Sequence, residues 1–176
     1  QANYNFDLDA IGLGSWGDFR AGLNATYTDT YTWQEGPDKP VREAKGHQNN
    51  SFGAVPIIPE WRANLSLGWS LGNHSISTTV RYIDEVMFDA NEFSWQQYLR
   101  PQNLWTTTDV IRAWTQTDMF YTYNNLEVYG GNATLSLGAR NLFDREAQKT
   151  GMIAGVVSQL QSPLGRMLYA RVGYEF

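Results

Sequence analysis

The densest concentration of ligand-type side chains in this 176-residue chain lies in a stretch from Asp84 to Trp105. Phe93, Trp95, Tyr98 and Trp105 are interleaved there with Gln96, Gln97, Arg100, Gln102 and Asn103. Aromatic faces beside amides suit a sugar ring, an aryl siderophore or a flat cofactor. Trp95, Tyr98, Arg100 and Trp105 are therefore the candidate ligand-binding residues, against the alternative of a loop packed on itself or its neighbours. Asp84, Glu85, Asp89 and Glu92 bring hard oxygen donors. Their spacing fits no calcium loop, so solvated acid is the expectation. Asn73-His74-Ser75 has the residue types of a hydrolytic site, but neighbours on a strand point to opposite faces and cannot assemble one. His47 has no second histidine nearby, which leaves little for a metal. The expectation is no catalysis, no metal site and no resident cofactor.

These residues must be positioned by strands, and the pattern is clearest at the end of the chain. Leu168, Ala170, Val172, Tyr174 and Phe176 alternate with Tyr169, Arg171, Gly173 and Glu175, a strict period of two. The same alternation predicts strands at about Tyr4 to Ala10, from Phe19 onward with a possible extension to Trp33, at Glu60 to Leu71, at Ser75 to Tyr82, at Ala113 to Tyr123, and at Ala133 to Arg140. Gly12 to Asp18, Gly72-Asn73, and Asn124-Asn125 with Gly130-Gly131 read as short turns. Glu35 to Pro59, Asp84 to Trp105 and Asn141 to Pro163 read as long loops. The first of these carries four prolines and mixed charge, so a solvated loop is expected.

Charges keep to one side of these strands. Asp7, Asp9, Arg20, Glu60, Arg62, Arg81, Asp118, Arg140, Arg171 and Glu175 all fall opposite the apolar set. So many ionised groups require a wet face. On the apolar side, Trp61 and Trp69 stand eight positions apart, about 26 Å at ~3.3 Å per residue. With a strand tilt of ~40° this approaches the ~25 Å band between the aromatic girdles of a membrane barrel. Short and long connections alternate, as in barrels with tight periplasmic turns and long external loops. The fold expected is all-β: an antiparallel transmembrane β-barrel section of about seven strands. Arg62, Arg81, Arg140 and Arg171 would face the lumen and attract anionic solute or bond a plug. A one-side-wet soluble sheet, such as a carbohydrate-binding sandwich, is the competing architecture.

Composition agrees with this reading. Aromatics make up 14% of residues, cysteine is absent and the net charge is -5. There is no thiolate site or disulfide framework, and nothing favours nucleic acid. No run reaches the ~20 apolar residues of a membrane helix. The opening residues alternate like a strand and carry no signal-peptide pattern.

Asn141-Leu142-Phe143-Asp144 follows Ala133 to Arg140 and precedes the closing strand by one long loop. Over about Asn132 to Phe176 this arrangement resembles the end of TonB-dependent outer-membrane receptors. The resemblance implies a larger barrel of twenty-two strands, with an N-terminal plug and a TonB-contacting box outside this sequence. It implies localisation in the bacterial outer membrane, with the C-terminus in the periplasm and the long loops extracellular. The implied partners are lipid, the rest of the barrel, TonB, and the assembly machinery that recognises Tyr174 and Phe176. The implied activity is energy-coupled uptake of a small nutrient. Within the tetrad, Asn141 and Asp144 are expected to support a turn and Phe143 to anchor the strand end. Another outer-membrane porin or adhesion barrel remains the alternative within this class.

Overall fold

Alternating side chains form a continuous face only if each strand pairs in a register that keeps the apolar sets together. The computed structural model of the chain describes residues 16–49, 55–88, 110–150 and 155–176, together with the backbone of 2–7. It is all-β, with no α-helix among the described residues. In chain order the strands are β1 (Ala2–Asp7), β2 (Asp18–Tyr27), β3 (Thr32–Trp33), β4 (Arg42–Glu43), β5 (Trp61–Leu71), β6 (His74–Ile83), β7 (Val86–Met87), β8 (Val110–Ile111), β9 (Trp114–Val128), β10 (Gly131–Arg140) and β11 (Met167–Glu175). Seven of them form one antiparallel sheet in the order β1-β2-β5-β6-β9-β10-β11. The other four form two small ribbons, β3 with β4 and β7 with β8. The main sheet is a plain meander whose edges are β1 and β11, with no ladder joining them among the described residues.

The register brings the separately phased strands into agreement. Leu23 pairs with Leu65, Leu65 with Val80, and Leu135 with both Tyr123 and Val172. Phe19 pairs with Trp69, and Tyr27 with Trp61. Every apolar set therefore falls on one face, called here the apolar face. Arg20, Arg62, Arg81, Asp118, Arg140 and Arg171 fall on the other by the same pairings. Five of the main strands have 9–11 residues and β9 has 15, against a usual length of about 5–6.

Two connections are two-residue hairpins. Gly72 has φ 55° at the first central position of β5–β6, where a type II′ turn wants glycine. In β9–β10, Tyr129 and Gly130 both have positive φ, 48° and 85°, as type I′ requires. All short connections fall at one end of the meander and all long ones at the other, called here the turn end and the loop end.

Several expectations need correction. Glu60 precedes β5 instead of belonging to it, and pairs with Lys45 at 3.3 Å. The strand starting near Phe19 does not run on to Trp33: it stops at Tyr27, and Thr32–Trp33 turns away to pair with Arg42–Glu43. Asn124 and Asn125 are not a turn. They form a bulge inside β9, where the register steps from Ala133↔Leu126 to Leu135↔Tyr123 and Asn125 takes φ 56°; an extra residue in one strand is accommodated this way.

The largest correction concerns Glu35 to Pro59. Residues 35–43 are a largely exposed stretch, as expected, but the described part from Ala44 onward is packed. Ala44, Gln48, Asn49, Val55 and Ile58 are buried, and Ala44, Val55 and Ile58 form a small core with Trp33 packed on it. The Asn49 amide lies within hydrogen-bond reach of the carbonyls of Ala44, His47 and Pro56. One buried amide thus supplies the donors that turn-forming prolines cannot. A second core joins the other two long connections: Val86, Phe88 and Ile111 meet Val157 and Leu160, with Ile57 and Ile83 against them. The described parts of the long connections consequently form a folded cap.

Candidate functional site

The cap sits on the polar face. Ile83 and Trp114 are cross-strand partners on the side that carries Arg81 and Asp118. Ile83 packs on the core of the cap, and Trp114 is only 3% exposed. Arg145, from the third long connection, lies over the Trp114 ring at 5.2 Å and donates to the Ala113 carbonyl at 2.7 Å. Gln161 donates to the Arg112 carbonyl and accepts from the Gln148 backbone N–H. The Gln148 side chain in turn reaches the backbone at Arg112 and Val110. Side-chain amides therefore satisfy backbone groups at Val110, Arg112 and Gln148.

Asp118 is the hub below the cap. Its carboxylate meets Arg81 at 2.8 Å and accepts from the Gln116 side chain and the Asn141 backbone, each at 2.9 Å. Charge-assisted bonds of this kind order both partners. Asp118 fell on the expected wet side in sequence but gave no sign of this role, because its partners come from β6, β9 and the residue after β10. Arg62 donates to the Ile57 carbonyl at 3.2 Å. Arg140 and Arg171 share the face by register.

The Asn-Leu-Phe-Asp tetrad ties the end of β10 to the approach of β11. Asn141 is buried, has φ 51°, and exchanges bonds with the Arg145 backbone. Asp144, with φ 54°, accepts from the Arg166 N–H at 2.7 Å. Short polar side chains tolerate the left-handed region and bond locally, hence their use here. Phe143 is 75% exposed.

An acidic cleft of about 290 Å³ opens between the first and second long connections, lined by Gly46, Glu60, Asp84, Glu85, Val86, Met87 and Val110. Lys45, beside it, is held above the ordinary lysine range by the Glu60 carboxylate. Glu43 accepts backbone N–H bonds from Tyr31 and Lys45, which lower its pKa. Among the described residues, no group of three or more His, Asp or Glu side chains could hold a metal ion. Asp89, Glu92, Phe93, Trp95, Gln96, Gln97, Tyr98, Arg100, Gln102, Asn103 and Trp105 lie outside the described residues. His74 and Ser75 fall on opposite faces, since His74 pairs with Tyr123 and Ser75 with Thr122.

On the apolar face, Tyr27 and Trp61 meet at the loop end with ring centroids 4.7 Å apart. At the turn end, the Trp69 indole donates to the Trp16 carbonyl at 2.7 Å. Tyr174 donates to the Val128 carbonyl at 3.0 Å and meets Phe176 edge-on at 5.0 Å. Between these aromatic groups the large side chains stay uncovered: Leu67 is 43% exposed, Leu137 47% and Val172 71%. Comparison with family models, curated proteins and solved structures finds no match to this chain.

Proposed function

We infer that the sheet is part of the wall of an outer-membrane β-barrel, with lipid against the apolar face and an aqueous lumen against the polar one. One observation carries this reading. The chain's own apolar loop residues fold over the polar face and leave the apolar face bare. A water-soluble sheet would use them the other way, because burying apolar area is the main favourable term in water. Contiguous exposed apolar surface of this extent marks an interaction with a membrane or another protein. Two aromatic groups bounding an aliphatic band favour the membrane, as do strands of membrane-crossing length and long connections gathered at one end. Edges at β1 and β11 cannot stay open in hydrocarbon, where unpaired backbone groups are costly, so further strands complete the wall.

The finer reading is a TonB-dependent receptor that takes up a scarce nutrient and does no covalent chemistry. It rests on the resemblance carried by Asn141 to Asp144 and the closing strand. In that role the cap and the acidic cleft face outward, toward arriving solute. Extraction tests the coarser reading: the protein should stay with outer-membrane fragments in alkaline carbonate and dissolve only in detergent. Release into carbonate would overturn it. Uptake tests the finer one: transport should stop when the proton-motive force is discharged, and uptake indifferent to that force would point to a passive porin.

A further inference from the structure

One place on the apolar face combines hydrocarbon with hydrogen-bonding groups. At the turn end, Trp16, Phe19, Trp69, Leu71 and Ile76 line a cleft of about 540 Å³. Two of these residues carry an indole N–H, and that of Trp69 already serves the Trp16 carbonyl. The cleft wall is otherwise hydrocarbon and ring surface. Its rim differs. Leu71 pairs with His74, and Ile76 with Tyr121. His74 Nδ1 lies 2.8 Å from the Tyr121 hydroxyl, and the imidazole meets Tyr123 in an edge contact at 4.8 Å. With Tyr121 donating to Nδ1, the imidazole N–H is at Nε2 and remains a donor.

We propose that this place binds one glycerophospholipid, with an acyl chain in the cleft and the phosphate at the His74 imidazole N–H and the Tyr123 hydroxyl, Tyr121 holding the imidazole in place. The proposal rests on lipid facing the apolar side. Under that reading the donors stand at the turn end, at headgroup level, where tyrosine and tryptophan rings are favoured. The cleft leads from them past Leu71 toward Trp69 and Ile76, which lie further up the strands. Its continuity with the aliphatic band suits an acyl chain that enters from the bilayer. A free phosphate would occupy the rim and leave the cleft unused.

The test uses the intact protein in phosphatidylethanolamine vesicles doped with an analogue whose acyl chain carries a photoreactive group. Labelling is expected at Phe19, Leu71 or Ile76, several-fold above that at Leu137 and Val172. His74→Phe should bring it down to the level of Leu137. Ile76→Trp, which fills the cleft while keeping the face apolar, should do the same. Even labelling across the face, or selective labelling that neither substitution lowers, overturns the proposal. Displacement by inorganic phosphate overturns it in favour of a simple anion site. Absence of label at Leu137 and Val172 as well would remove the lipid-facing reading itself.

Discussion

The cap and the apolar face handle the same kinds of side chain in opposite ways. In the cap, Val86, Ile111 and Val157 are at most 2% exposed. On the apolar face, Leu168 and Val172 are more than 70% exposed. Both regions come from one chain, so composition does not explain the contrast. The cap is built for water: it gathers its apolar groups, bonds the Asn49 and Gln161 amide N–H groups to backbone carbonyls and turns charge outward. Under the proposed reading, the face meets a medium in which exposed leucine costs nothing. The difference teaches that the solvent of each region can be read from where the apolar groups are left.

Substitutions can break this contrast at either side. The largest effect is expected from Ile111→Ala, which should cost about 2–5 kcal/mol locally, as cavities in packed cores do. Hydrogen exchange should rise at Val86, Val157 and Leu160 equally in detergent and in bilayers, with β5 and β10 unaffected. Next, Leu137→Arg on the apolar face should cost about 2–4 kcal/mol in a bilayer, while Ser66→Arg on the polar face should cost little. Unfolding in denaturant from vesicles would read both; equal costs would erase the distinction between faces.

The third effect concerns the joint between cap and sheet. Asp118→Ala strands Arg81, Gln116 and the Asn141 N–H, and should cost about 1–3 kcal/mol by the usual loss of charge-assisted bonds. Its signature is faster exchange at Asn141 and Leu142, with β2 unaffected. The smallest effect is a pH response in the β3–β4 ribbon. Glu43 is bound more strongly as carboxylate in the folded ribbon, so its pKa there is lowered by the Tyr31 and Lys45 N–H groups. The support it gives is present above the ordinary glutamate pKa and is lost as pH falls through the lowered value. Exchange at Tyr31 and Lys45 should quicken over that acidic window, and Glu43→Gln should remove the step.

Sequence reading located the faces well because period two is local and strong. Trp61 to Leu71 alternates without interruption, and its partners agree with it across every ladder. It failed where structure depends on contacts distant in the chain. Ala44 and Asn49 lie among prolines and charged residues, and nothing local reveals that Ile58 and Trp33 will cover the segment. The bulge at Asn124 and Asn125 looked like a turn because asparagine serves in both. Tyr169 stacks over Gly138, where any Cβ would collide with its ring, and meets Phe120 at 6.0 Å. That fit required knowing the β10–β11 register.

The central claim is that lipid contacts one face of the sheet and water the other. Spin labels at Leu65, Leu137 and Val172, with partners at Ser66, Arg140 and Arg171, test it directly in the native assembly. Collisions with dissolved oxygen should dominate at the first three sites and collisions with a water-soluble nickel complex at the second three. Nickel-dominated relaxation at Leu65, Leu137 and Val172 would contradict the account.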